Sequence, residues 1–314
     1  MENYQKKYLD HIGMGYDYNA GFIPCEICGD QEFTVIRETI DIGKGVFGKF
    51  PVVACNTCGL LYQNPRFEKK FYEDYYSKYY RRVVCKDTEP SLEFVEDQIK
   101  RGELLFETIK KYIDSPGTML DVGCSVGGIL VHFIKKGWNA FGVDPDQGYV
   151  RYGREKLGLP IENTGAEEMV LEPNKYDLII IMDSLEHVYD PNLTLELCRK
   201  ASRPNAFLLL EGRGIPQKDS KVYFNHNHHR YFSLNSFELM MFKHGWKPVF
   251  STEESICETT QKGKGAIYCM GQMSSVPERS AFDNMYKSGK REDPQDILKK
   301  FDEIDRKWEQ KQAS

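Results

Sequence analysis

Two short cysteine pairs carry the most explicit chemistry in this sequence. Cys25-Glu-Ile-Cys28-Gly29 is answered by Cys55-Asn-Thr-Cys58-Gly59. In each C-x-x-C-G turn two thiolates can reach one ion, while the glycine takes the tight turn. Two such turns supply four thiolates at tetrahedral corners, so Cys25, Cys28, Cys55 and Cys58 are expected to hold structural zinc. A closed four-thiolate site keeps no open position for a reactant. Its expected role is to replace a core that so small a segment cannot build. The residues between the turns alternate, as in Phe33-Thr-Val-Ile and Phe50-Pro-Val-Val, and predict a long ribbon hairpin. Four unrelated thiols are the alternative.

A second group of candidates is rich in imidazole. Phe224-Asn-His226-Asn-His228-His229-Arg230 is a loop whose histidines are candidate general bases, because imidazole titrates near neutrality. His228 is the preferred base, followed by His187 and then His226; a structural histidine cluster is the alternative. Asp183-x-x-Glu186-His187 follows an apolar run. Its two carboxylates and one imidazole suit a hard divalent ion that holds a hydroxyl for deprotonation.

The third constellation binds rather than reacts. Thr118-Met-Leu-Asp-Val-Gly-Cys-Ser-Val-Gly-Gly128 reads as a strand, a tight turn and a helix start. Gly123 and Gly127 let a ligand approach the backbone, but the spacing is not the G-x-G-x-x-G of dinucleotide sites. Asp144 ends the next apolar run, about 20 residues on, where a carboxylate can accept both hydroxyls of a ribose. A nucleoside ligand follows, and no more than that.

These residues need a scaffold, and the pattern supplies one. Strands are predicted at 119–122, 140–143, near 161, 177–182, 206–211, 249–251 and 266–273, with helices at 127–136, 146–157, 191–202 and 234–244. Strand and helix alternating through short links argue for a parallel sheet, with ligands at its carboxyl edge. Upstream, 91–113 predicts a helix, and Tyr72, Tyr75, Tyr76 and Tyr79 share a helical face that reads first as aromatic packing.

The glycine turn resembles motif I of class I S-adenosylmethionine-dependent methyltransferases, D/E-x-G-x-G-x-G, with Ser125 at the middle glycine. Leu185-Glu-His-Val188, with Asp190-Pro191, matches a further stretch of that family. The resemblance implies an α/β, Rossmann-like seven-stranded methyltransferase sheet with a small N-terminal four-cysteine zinc ribbon and a helical C-terminal extension. It implies S-adenosyl-L-methionine as cofactor, bound by Asp121, Gly123, Cys124, Gly127, Asp144, Pro145, Glu167 and Asp183, with Glu167 meeting the adenine. Ribbon-bearing small-molecule relatives place a C-G-L-x-x-x-N-P-R segment, here 58–66, and the following tyrosines over the cofactor. The D-x-x-E-H stretch also echoes the E-x-x-E-H metal motif of ubiquinone-pathway and small-RNA O-methyltransferases. Residues 226–233 resemble the H-x-H-x-x-Y-F-S segment of nucleotide-sugar C-methyltransferases, although Asn227 replaces an acid and that family's large C-terminal domain is missing. The expected reaction is methyl transfer to a sugar or nucleotide-sugar hydroxyl. An RNA methyltransferase reading a hairpin through its ribbon, or a non-catalytic cofactor-binding protein, are the rivals.

Composition narrows the classes. A net charge of −5 gives no support for a nucleic-acid or membrane footprint. No apolar run reaches the roughly 18 residues of a membrane span, and the N-terminus shows no signal core, so a cytoplasmic protein is expected. The expected layout is a lead or lid at 1–24, a ribbon at 25–66, a helical linker at 67–115, the catalytic domain at 116–275 and a charged tail at 276–314. The tail helix Asp296–Lys311 reads as a solvated surface helix, and packing across a partner in a homodimer is the alternative.

Overall fold

The structure is a computed structural model, described here for residues 9–10, 13–15, 18–43, 46–48, 50–79, 89–214, 224, 227–260, 265–274, 283 and 292–313. The N-terminal strands are β1 (Ala20–Gly21), β2 (Phe33–Arg37), β3 (Ile40–Gly43), β4 (Val46–Gly48), β5 (Val52–Cys55), β6 (Leu61–Gln63) and β7 (Arg66–Phe67). Helix α1 (Lys69–Asp74) runs straight into a π-helical turn, Tyr75–Tyr79, and α2 (Leu92–Ile109) follows. Then come β8 (Thr118–Val122), α3 (Gly128–Lys135), β9 (Asn139–Asp144), α4 (Gln147–Leu157), β10 (Ile161–Asn163), β11 (Tyr176–Met182), α5 (Pro191–Ala201) and β12 (Ser202–Arg213). The chain closes with β13 (Arg230–Tyr231), α6 (Leu234–Lys243), β14 (Trp246–Thr252), β15 (Ala266–Met273) and α7 (Pro294–Ala313).

The large sheet has the order β10-β9-β8-β11-β12-β15-β14. Its first five strands are parallel, and β15 enters antiparallel between β12 and β14. Apolar runs drive this: β8 is buried throughout and β11 nearly so, as expected for strands covered on both faces. Order reverses between β8 and β11, and a crevice opens at their carboxyl ends. Caps fix the helices that flank it. Asp146 accepts from Tyr149 N at the start of α4, and Asp190 accepts from Leu193 N at the start of α5, where Pro191 takes the first turn.

The ribbon does not stand apart from this sheet. Strands β2, β5 and β6 form a second sheet whose fourth member is β13, with Arg230 opposite Tyr62 and Tyr231 opposite Leu61. One apolar core runs from Cys25, Val53 and Tyr62 through Val122 and Ile179 to Phe237 and Trp246. A second core gathers the described part of the lead (Leu9, Met14 and Tyr18) with Phe67, Phe71, Tyr72 and Tyr75. The tail corrects an expectation. Helix α7 is not solvated on all sides, because Ile297 and Phe301 are buried in this second core and Arg37 pairs with Asp302 and Asp305.

Helix α2 approaches α3 closely because Gly102 has no side chain. A Cβ there would meet the Ile129 carbonyl oxygen at 2.6 Å and its Cα at 2.9 Å. Helix propensity alone predicts that Gly102→Ala stabilises, by about 1 kcal/mol. Packing predicts the opposite, and overpacking against backbone is the larger effect. Urea denaturation of Gly102→Ala should show a net loss of about 1–3 kcal/mol.

Candidate functional site

A cavity of about 420 Å³ occupies the crevice. Its floor is the carboxyl edge of the sheet: Val122 and Gly123 after β8, Asp144 and Pro145 after β9, Asp183 and Ser184 after β11. Its roof is α1 and the π-turn, through Lys69, Tyr72 and Tyr76. One side is closed by Gly165–Glu168 and the other by His187–Tyr189. Of the residues expected to bind a nucleoside cofactor, Gly123, Asp144, Pro145, Glu167 and Asp183 line this space. Asp121, Cys124 and Gly127 are not among its lining residues.

The turn is built for close approach. Gly123 has φ +79°, and a Cβ on it would collide with Ser184 Oγ. Asp144 is oriented by two backbone donors, Ser125 N to Oδ2 and Asp146 N to Oδ1, each at 2.8 Å. Held in this way, the carboxylate stands at the cavity wall, where its acceptor oxygens can meet a ligand's hydroxyls. Asp121 is 1% exposed and neither of its oxygens has a hydrogen-bond partner among the described residues. Burial pushes its carboxyl up to about 7, with Arg101 pulling the other way. Cavity, glycine turn, oriented Asp144 and unsatisfied Asp121 together fit a cationic nucleoside cofactor.

Glu167, expected to meet the adenine, lines the cavity and also braces the neighbouring loop. Its Oε1 accepts from Tyr189 N at 2.6 Å and Asp190 N at 3.0 Å, and Oε2 faces Lys69 Nζ at 3.1 Å. Lys69 also reaches Glu168 at 2.6 Å, so these acids tie the roof helix to the loop after β11. The tyrosine face divides between two roles. Tyr75 is buried core, yet its hydroxyl donates to Asn227 Oδ1 at 2.9 Å, while the Tyr76 hydroxyl lies 3.0 Å from His187 Nδ1.

The candidate reactive groups converge on Glu186, His187 and His228, each of which offers a ligand atom within 4.8 Å of the others. The set anticipated from the sequence was Asp183, Glu186 and His187. Asp183 falls outside the cluster because its backbone takes φ +51° and it lines the cavity. His228 replaces it, brought in by the β13 segment, its ring 4.7 Å from that of His187. His187 lines the cavity, whereas His228 is 4% exposed and sits behind it. Placement thus favours His187 over His228 as the group that meets an acceptor. His226 lies outside the described residues. His229 is buried against Tyr72, and its Nδ1 donates to the Val188 carbonyl at 3.2 Å.

The charge states of this cluster follow from burial. His187 Nδ1 lies 2.9 Å from the Asn227 carbonyl, which can only accept, so Nδ1 carries the proton and Nε2 the lone pair. Burial holds that imidazole neutral down to about pH 4. Both Glu186 oxygens are buried without a hydrogen-bond partner among the described residues, and burial raises the carboxyl to about 7. A buried carboxylate next to two imidazoles is a donor set for a divalent cation.

The cysteines meet in one cluster. Cys25 Sγ lies 3.4 Å from Cys58 Sγ, Cys28 Sγ lies 3.4 Å from Cys55 Sγ, and all four sulfurs are within 4.8 Å of one another. Gly29 and Gly59 turn beside them at φ +81° and +79°. Four sulfurs on an ion with bonds of about 2.3 Å would be separated by roughly 3.8 Å, so the cluster fits tetrahedral coordination. Residues that the sequence reading passed over are Glu26, Arg66, Arg230 and Lys69. Arg66 and Arg230 end or follow motif stretches and Glu26 sits inside a cysteine turn, but nothing local marks any of the four as a partner of the others.

Comparison with known proteins agrees with this geometry. A family model described as a methyltransferase domain matches residues 93–250. The chain is 26% identical over 137 residues to a ubiquinone biosynthesis O-methyltransferase of Bartonella tribocorum, covering 42% of this chain and 49% of that one. It is 31% identical over 96 residues to the enzyme of the same name from Dinoroseobacter shibae, covering 29% of this chain and 39% of that one. The chain thus spans less than half the length of these curated relatives. Among solved structures, a Burkholderia thailandensis 1,6-didemethyltoxoflavin-N1-methyltransferase aligns with TM-score 0.49 and 12% identity, covering 76% of this chain and 100% of that one. An S-adenosylmethionine-dependent methyltransferase of Archaeoglobus fulgidus aligns with TM-score 0.45 and 16% identity, covering 58% and 100%. With half of its length matched by the family model, and with a seven-stranded sheet that carries a glycine turn and an oriented carboxylate at Asp144, the chain belongs to the methyltransferase-domain family, in the class I, S-adenosylmethionine-dependent form.

Proposed function

We propose that the protein transfers a methyl group to a hydroxyl oxygen of a small molecule, and that Glu186, His187 and His228 form the place where that hydroxyl loses its proton. The observation that carries this reading is the convergence of a cavity-lining neutral imidazole and a buried carboxylate at the mouth of the cofactor crevice. When bound, S-adenosyl-L-methionine supplies an electrophilic methyl on a sulfonium, open to in-line attack. The chain's own residues do the rest. The 123–128 turn and Asp144 hold the nucleoside, Tyr72 and Tyr76 roof the crevice against water, and Asn227 keeps the His187 lone pair on Nε2. Four thiolates at Cys25, Cys28, Cys55 and Cys58 hold zinc, in a structural role.

A second reading concerns the same cluster. The unsatisfied Glu186 carboxylate favours a divalent cation held by Glu186, His187 and His228, which would lower the pKa of a coordinated hydroxyl. The acceptor itself is a narrower question. Residues 226–233 support a sugar or nucleotide-sugar hydroxyl, whereas the names of the curated relatives support an acceptor of the ubiquinone pathway. An imidazole with a pKa near 4 is a weak base, and it is better matched to an acidic phenol or enol than to an alcohol. Incubating labelled cofactor with panels of both acceptor classes tests this directly. Failure of every hydroxyl acceptor to take label would defeat the function.

Four outcomes are expected. Asp144→Ala should weaken cofactor binding by about 1.5–3 kcal/mol in calorimetry, the worth of hydrogen bonds to a charged group. His187→Ala should reduce turnover about 10²–10⁴-fold with cofactor affinity intact. The pH profile separates the two readings of the cluster. Direct proton acceptance gives activity that persists down to about pH 4, because His187 stays neutral until then. The cation reading gives activity that falls below about pH 7 at limiting magnesium, because Glu186 must lose a proton to bind. Finally, elemental analysis should find one zinc per chain in the wild type and a marked loss in Cys55→Ser.

A further inference from the structure

The first cysteine turn is wired into the catalytic loop through one side chain. Glu26 lies between Cys25 and Cys28 and is 9% exposed. Its Oε1 accepts from Arg66 Nη1 at 2.9 Å and Arg230 Nη2 at 2.7 Å, and its Oε2 accepts from Arg230 Nε at 2.7 Å. Its backbone carbonyl accepts from Lys243 Nζ at 2.6 Å and Asn192 Nδ2 at 3.1 Å. The two guanidinium groups then use their remaining donors on the loop after β11. Arg230 Nη1 reaches the carbonyls of Leu185 at 2.7 Å and Val188 at 2.8 Å, and the Tyr189 carbonyl is met by Arg66 Nη2 at 2.9 Å and Arg230 Nη2 at 3.3 Å. Glu186 and His187 lie between those carbonyls. The same loop is held from β13, where His229 N donates to the Glu186 carbonyl at 2.9 Å.

A guanidinium is a planar fork, so the carboxylate that grips one edge sets the direction of the other. Without Glu26, two buried cations would face the same loop carbonyls with no anion between them. Glu167 and the His229 backbone hold this loop from other sides, while the Leu185 and Tyr189 carbonyls meet the two guanidinium groups. We propose that Glu26 is a positioning residue for the reaction: through Arg66 and Arg230 it fixes the Leu185–Tyr189 loop, so the state of the four-cysteine site governs the placement of Glu186 and His187. The proposal rests on the reading that these two residues serve deprotonation. The ribbon is therefore part of the active site's mechanics, and metal loss or thiol oxidation there lowers turnover without touching the cofactor turn.

Amide hydrogen exchange on the full, zinc-loaded chain tests this without an acceptor. Glu26→Gln, checked for metal content and circular dichroism, should raise exchange in 185–190 and 228–231 about tenfold or more. Residues 118–144, which carry the cofactor turn, should be unchanged, and cofactor affinity should hold within about fivefold. Glu26→Asp keeps the charge but withdraws it by one methylene, and it should loosen the same segments. Arg66→Gln leaves a one-to-one Glu26–Arg230 pair and should loosen only 188–190. Turnover of Glu26→Gln on a labelled acceptor should fall about 10–10²-fold, on the scale of a small misplacement, with little change in acceptor KM. If Glu26→Gln does not fold, graded removal of zinc from the wild type should raise exchange in the same loop before the rest opens. Unchanged loop exchange, or a uniform rise that includes 118–144, overturns the proposal. A loosened loop with full turnover supports the coupling and removes the deprotonation role from Glu186 and His187.

Discussion

One buried carboxylate shared by two guanidinium groups joins the halves of this molecule. Glu26, Arg66 and Arg230 come from the first cysteine turn, from β7 and from β13, and all three are buried. The triad leaves one positive charge in excess, and desolvation works against all of it. Removing one partner of such a set usually costs about 3–5 kcal/mol, because the others stay charged and unpaired. The four backbone-carbonyl contacts that Arg66 and Arg230 make with the loop after β11 offset that cost. The triad therefore orders more than it stabilises, and it depends on a cysteine turn held in shape.

The carboxyl edge of the large sheet shows a related economy of charge. Asp121, Asp144 and Glu211 end or nearly end β8, β9 and β12, and Asp183 follows β11. Glu211 is paired with Arg101 at 2.5 Å, and burial raises both Glu211 and Asp121 to about 7. A row of acids at low dielectric is poorly solvated by the protein alone. It gains from a cationic ligand, and a sulfonium cofactor brings its positive charge to that edge. Burial and charge complementarity thus point to the same occupant as the glycine turn.

Much of this was legible in the sequence, for local reasons. The strands of the large sheet are legible within a few residues because buried parallel strands read as unbroken apolar runs such as Leu178-Ile-Ile-Ile-Met182. The cysteine cluster was legible from spacing, and Asp144 from its distance to the glycine turn. What escaped depends on long-range pairing. Glu26 and Arg230 are 204 residues apart, and each reads alone as an ordinary surface charge. The cluster around His187 was misassigned for a backbone reason. Spacing puts Asp183 next to Glu186, but a left-handed turn at Asp183 sends it to the cavity and leaves the position to His228. The tail helix misled because its anchors, Ile297 and Phe301 with Leu298 and Ile304 packed beside them, are thinly spaced in a charged pattern.

The pairing of β13 with β6 also dictates an order of events during synthesis. Roughly 170 residues separate Gln63 from Arg230. At about 5–20 residues per second, the edge of β6 therefore waits some ten to thirty seconds for its partner to leave the ribosome. Cys25, Cys28, Cys55 and Cys58 are translated long before, so capture of the proposed zinc can precede the strand that completes their sheet. An early-loaded ribbon would present β6 as a preformed template, and β13 would arrive last and seat Arg230 on a carboxylate already in place. A chain whose cysteines oxidise during that interval would offer the same edge to other unfinished chains, and open strand edges pair readily between molecules. Aggregation of nascent protein, rather than loss of the finished enzyme, would then be the first cost of failing to load the zinc proposed above.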